Sequence, residues 1–165
     1  MKHHRKVKMM PSGFTLVELM TVIAILAILA AVALPLLFSA LPNYRLRAAA
    51  RELMIDFKKA KVEAIKRNKN VLIQFTPVVG AGPGGSYELC VDSDNNGACD
   101  AGEAIANISM PKDVRLTETN FTSNKAGYNS RGLPWNNQIG RVTMSTVDGK
   151  RTYLISLSMA GAVSM

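Results

Sequence analysis

The chain has 165 residues, of which 48% are hydrophobic and 19% charged, and its formal net charge is +8. That length allows one modest domain with a real core, and the composition is neither disordered nor collagen-like. Histidine occurs only as His3 and His4. With no zinc spacing, no phosphate-cradling glycine loop and no Ser/His/Asp arrangement, the sequence argues against an enzyme.

The charge is unevenly placed. Lys2, Arg5, Lys6 and Lys8 precede Gly13, residues 45–69 carry nine basic and three acidic residues, and the remainder from Asn70 is nearly balanced. The basic character therefore belongs to a helix. It reads as a solvated face and contacts to phospholipid heads rather than as nucleic-acid binding.

Residues 19–38 contain no charge. As a helix they span about 30 Å, the thickness of a bilayer's hydrocarbon core. The preceding basic cluster predicts a cytoplasmic N-terminus, with the rest of the chain outside. A secretory signal would have a shorter apolar core and a small-residue site before a polar domain. Here Ala31 and Ala33 are followed by Pro35-Leu36-Leu37-Phe38. Topology alone does not separate a simple membrane anchor from a filament subunit, but Glu18 does. A carboxylate near hydrocarbon costs about 2.5–3.5 kcal/mol at depth and usually marks function with a partner. A plain anchor has no use for it. In a filament, an α-amino group freed at Phe14 of one subunit can pair with Glu18 of its neighbour.

The string Lys8-Met9-Met10-Pro11-Ser12-Gly13-Phe14-Thr15-Leu16-Val17-Glu18-Leu19-Met20 resembles the leader and cleavage motif of type IV prepilins and type II secretion pseudopilins. The resemblance implies cleavage by a prepilin peptidase after Gly13, N-methylation of Phe14 and a role for Glu18 in assembly. Pro35 and Pro42 lack a backbone donor and are expected to kink the helix, the alternative at Pro42 being a helix boundary. The helical pattern resumes at once, so one long, bent helix is expected.

From residue 45 to 69, Leu46, Ala50, Leu53, Phe57, Ala60 and Ala64 recur at steps of three and four, with Met54 and Ile65 widening the stripe. This is an amphipathic helix with one buried face. Charges, Asp56 among them, are assigned to the other side, and Glu63 and Arg67 are spaced for an i,i+4 pair. The strings Leu46-Arg47-Ala48-Ala49-Ala50-Arg51-Glu52-Leu53 and Lys61-Val62-Glu63-Ala64-Ile65-Lys66-Arg67-Asn68 are similar to the minor-pilin family of fimbrial assembly protein FimT and general secretion pathway protein H.

After Asn70 the period changes to two. Residues 71–76, 87–91, 114–117, 138–147 and 151–157 read as strands, with a Gly/Pro loop at 80–85 and Asp148-Gly149 as a two-residue hairpin signal. Cys90 and Cys99 are an even pair in an exported chain and suggest a disulfide worth about 2–3 kcal/mol, the alternative being two free thiols. Residues 92–103 match the calcium-loop template D-x-D-x-N-G-x5-E. Asp92, Asp94, Asn96, the Ala98 carbonyl, Asp100 and Glu103 are the candidate ligands. No helix follows, so the loop is not an EF-hand, and a polar turn rich in Asp, Asn and Gly is the alternative.

The expectation is an α+β chain with four parts: a leader (1–13), a transmembrane and filament-core helix (14–42), an amphipathic helix half (43–69) and an antiparallel sheet domain (70–165). The resemblance implies the pilin fold and a minor type IV pilin that initiates or caps a pilus, made in the inner membrane with its C-terminal domain periplasmic. Its partners would be other pilins, the assembly platform and membrane lipids. Alternatives are a type II pseudopilin, a calcium-responsive module on an anchor, or an adhesive or DNA-binding tip. Arg131, Arg141, Lys150 and Arg151 are the candidate patch for DNA. The terminal stretch Ala160-Gly161-Ala162-Val163-Ser164-Met165 lacks the basic residue that such relatives carry, which weakens that reading.

Overall fold

A computed structural model describes residues 13–165. The leader residues before Gly13, with their basic cluster, lie outside the described residues. One helix, α1 (Leu16–Arg67), is followed by strands β1 (Asn70–Thr76), β2 (Ser86–Asp92), β3 (Ala104–Ser109), β4 (Val114–Thr119), β5 (Lys125–Tyr128), β6 (Gly140–Thr146), β7 (Thr152–Leu157) and β8 (Val163–Ser164). The chain divides into two units, one ending at Ser39 and one covering Ala40–Met165.

In the first unit the large apolar side chains are exposed, Leu26 by 59% and Phe38 by 64%. The segment is long and apolar enough to cross a membrane. Pro35 lies within α1 and removes one helical hydrogen bond there.

The second unit is built around the remainder of α1. Leu46, Leu53 and Phe57 are fully buried, and Ala49, Ala50, Ala60 and Ala64 on the same face let the strands approach closely. α1 ends in a Schellman motif. Asn68 takes the left-handed conformation (φ 52°), its N–H donates to Ile65 O, and the Lys69 N–H donates to Ala64 O.

Two antiparallel four-stranded sheets face this helix, in the orders β3-β2-β1-β5 and β4-β6-β7-β8. One core joins them: Val71, Ile73 and Phe75 of β1, Leu116 of β4, Val142 and Met144 of β6, and Ile155 of β7 cluster with the helix. The Gly/Pro loop links the sheets. The Gly84 N–H donates to Val114 O, and a Cβ at Gly85 would stand 2.9 Å from Leu116 Cβ. Phe57 makes an edge contact with Tyr128 (6.5 Å) and a tilted one with Phe75 (6.2 Å). Burial raises the Tyr128 hydroxyl to about 12.

Three expectations are corrected. Asp56 is not on the charged face. It is buried at 9% exposure and accepts a 2.7 Å hydrogen bond from the Tyr87 hydroxyl. Burial, together with the neighbouring Asp56 carboxylate, holds the Tyr87 hydroxyl far above its ordinary range. Ile65 is half exposed rather than part of the buried stripe, and only its tip is covered, by the Gly132 turn, where a Cβ would meet Ile65 Cδ1 at 2.8 Å. The β6–β7 connection is longer than two residues. Ser145 pairs with Thr152 and the Thr146 N–H donates to Arg151 O, leaving residues 147–150 as the turn. Thr146 Oγ1 donates to Asp148 Oδ1, and Gly149 supplies a left-handed φ of 69°. The expected pair of Glu63 and Arg67 forms at 2.6 Å and holds the Glu63 carboxyl below its ordinary range.

Candidate functional site

Two regions carry the candidate residues. The first is the start of α1. Gly13 is exposed, and a Cβ there would meet nothing within 4 Å, so the bond after it is sterically open. Phe14 is 84% exposed. The Glu18 N–H donates to Thr15 Oγ1 at 3.2 Å, which makes Thr15 the helix N-cap and Glu18 its N3 residue. Ser/Thr-x-x-Glu is the sequence signature of a capping box, and the spacing Thr15-Leu16-Val17-Glu18 carried that signal unread. Glu18 therefore has a local role as well. A carboxylate in the first turn offsets the positive end of the helix dipole.

The second region is the β2–β3 loop. Cys90 and Cys99 are joined by a disulfide with a Cα–Cα separation of 5.6 Å, and Cys90 sits at a register shift in the β2–β3 ladder. Of the six predicted ligands, Asp94, Asp100 and Glu103 converge, their oxygens lying within 4.8 Å of one another. Asp92 is fully buried and differently engaged, accepting from the Gly97 N–H and from Asn70 Nδ2. Asn96 bridges the exposed carboxylates, its Nδ2 donating to Asp94 Oδ2 (2.8 Å) and Asp100 Oδ2 (2.6 Å). Its Oδ1 accepts from the Ala98 N–H. Glu103 closes the loop by accepting from the Ser93 and Asp100 N–H groups. Two lysines reach the same loop: Lys69 Nζ donates to Ser93 O and Lys125 Nζ to Gly97 O. Three convergent carboxylates suit a hard cation in chemistry, but here the loop also satisfies its own donors and acceptors.

Of the basic residues considered for nucleic acid, Arg141 stands apart from Lys150 and Arg151. Arg141 pairs with Ser156 at one end of the β6–β7 hairpin, and Lys150 within the turn and Arg151 just after it lie at the other. The strand between them spans about 17 Å.

Comparison with known proteins bears on the N-terminal motif and on the chain as a whole. The family model for type II transport protein GspH matches residues 49–161, and that for the prokaryotic N-terminal methylation motif matches residues 8–34. Pilin-like protein PilA1 of Thermus thermophilus is 45% identical over 92 residues, 55% of this chain and 54% of that protein, so the match spans about half the length of this curated relative. The crystal structure of the type IV minor pilin FimU of Pseudomonas aeruginosa has the same fold, with a TM-score of 0.53 and 17% identity, covering 74% of this chain and 89% of that one. The match over residues 49–161, behind a methylation motif that opens the helix, places the chain in the type II transport protein GspH family.

Proposed function

We propose that this chain is a minor type IV pilin that helps initiate or cap a pilus, and that its role is structural rather than catalytic. The observation that carries the reading is the string Gly13-Phe14-Thr15-Leu16-Val17-Glu18 opening an exposed apolar helix whose remainder is buried in a folded unit. A prepilin peptidase cuts after Gly13, and Phe14 becomes the methylated N-terminus. The freed amine is cationic at neutral pH and stands at the positive end of α1. Intramolecular compensation comes from Glu18 in the first turn. In the filament, the Glu18 of a neighbouring subunit takes over that pairing, and both charges leave water together. Before assembly the apolar segment lies in the inner membrane with Ala40–Met165 on the periplasmic side, as the basic leader orients it.

The likeness to a pilin-like relative favours a pilus, whereas the family's description favours a type II secretion system as the second reading. Deleting the gene and scoring surface pili and secreted enzymes side by side separates them. Loss of pili with intact secretion supports the pilus. Loss of secretion with intact pili supports the pseudopilus. Calcium at Asp94, Asp100 and Glu103 is a further reading, supported by the 4.8 Å convergence of their oxygens. It predicts that millimolar calcium raises the melting temperature of the full chain and that Asp100→Asn removes the rise. An unchanged melt counts against it.

A further inference from the structure

Beside the acidic loop, four connections meet to form a groove of about 510 Å³, within the range of roughly 300–1,000 Å³ usual for small-molecule sites. Its walls come from the start of β1 (Asn70), the β2–β3 loop (Asn95), the turn before β5 (Ser123) and the segment before β6 (Trp135, Asn136, Gln138).

The backbone around the groove is unusual. Five of the seven non-glycine residues with positive φ among the described residues are Asn95, Ser123, Asn124, Asn136 and Asn137. They line the groove or adjoin residues that do. Asparagine adopts this conformation more readily than most residues, and Ser123 carries the larger cost. Gly97 belongs to the same arrangement. A Cβ there would stand 2.9 Å from the Trp135 ring, so the glycine of the acidic loop seats the indole as well as making a turn.

The side chains specify the ligand's chemistry. Planar amides offer donors and acceptors in fixed directions. The one charged side chain on the wall is Lys125, whose Nζ is already committed to Gly97 O at 2.5 Å. Gln138 Oε1 is buried beneath the wall and, among the described residues, has no hydrogen-bond donor, so the exposed amides of the wall are those of the asparagines. Trp135 adds one flat apolar face. The lining lacks the cation cluster that a phosphate backbone needs, and carboxylates stand next to it. Amides, hydroxyls and a single indole without net charge match a ring that has polar hydroxyls at its edge and C–H groups on its face.

We propose that this groove binds a neutral oligosaccharide, with Trp135 as the stacking plane and Asn95 and Asn136 as hydrogen-bonding partners. The inference is independent of filament assembly, because binding is measured on the isolated chain. A cell-wall glycan and an external polysaccharide share this chemistry. The full chain, held in a zwitterionic detergent without a sugar head group, is titrated with chitotetraose, cellotetraose and maltotetraose. Emission from Trp135, the single tryptophan of the chain, and calorimetry report binding.

At least one sugar should give a saturable response with a dissociation constant of about 1 mM, unchanged in about 0.5 M NaCl. Preference for chitotetraose points to an N-acetylated wall glycan, and preference for the others to an external one. Asn136→Gly should weaken binding about tenfold with an unchanged melt, since glycine accepts the left-handed backbone. Trp135→Phe should weaken it about fivefold by calorimetry. No saturable response to any of the three at about 20 mM, wild-type affinity in Asn136→Gly, or salt-sensitive binding of oligothymidylate in preference to the sugars would overturn the proposal.

Discussion

The two halves of α1 are both rich in apolar side chains and dispose of them in opposite ways. Before Ser39, Leu26, Leu29 and Leu37 are each more than half exposed. After Ala40, Leu46, Leu53 and Phe57 have no exposure at all. The second half brings its own partners in the two sheets that follow it, so it is stable by the ordinary terms of a core. Among the described residues the first half has no partner, and under the proposed function it takes one from outside, lipid first and then other subunits. Its sequence shows this difference. The buried half is striped, with charges between the apolar positions, and the exposed half is apolar all round.

The sharpest way to break the comparison is at the start of the exposed half. Gly13→Ala should abolish processing, leaving a full-length chain in the inner membrane on an immunoblot and none in sheared filaments. Glu18→Ala should be processed normally and lose filament incorporation by about an order of magnitude, the effect of roughly 1.4 kcal/mol in the pairing. Normal incorporation would remove the intersubunit role and leave Glu18 with its local role against the helix dipole. In the buried half the effect moves from assembly to folding. Phe57→Ala should cost about 3–5 kcal/mol in a denaturant melt while cleavage proceeds.

Tyr87→Phe is smaller. It leaves the buried Asp56 carboxylate without its donor and should cost about 1–3 kcal/mol. It should also change the alkaline limb. The Tyr87 and Tyr128 hydroxyls titrate higher when folded than when unfolded. Above pH about 10 the unfolded chain loses these protons first. Stability is thus fully present below that pH and falls as pH rises toward 12 and beyond. The Tyr87→Phe chain should lose less over that window, read from melts at pH 8 to 11.

The periodic elements were legible in the sequence. Both helix halves, β1, β2, β4, β6 and β7 follow apolar spacing, and the disulfide and the Gly13–Glu18 motif are short-range patterns. β3, β5 and β8 were not anticipated. β3 carries Asn107 among half-exposed positions, β5 is four residues with Gly127 in the middle, and β8 is two residues long. Gly127 is needed there because a Cβ would stand 2.3 Å from Val71 O, which no local pattern announces. Asp56 looked like a surface charge because its partner Tyr87 is 31 residues away. The neutral groove is assembled from four loops, so its members are scattered from Asn70 to Gln138 and share no spacing.

The measurement that tests the central claim most directly is mass spectrometry of the N-terminus of this protein recovered from sheared surface filaments. The account predicts a mature chain beginning at N-methylated Phe14, with residues 1–13 gone. A filament-borne chain that keeps its leader, or one cut beyond the apolar segment, would show that α1 does not enter the filament as described and would contradict it.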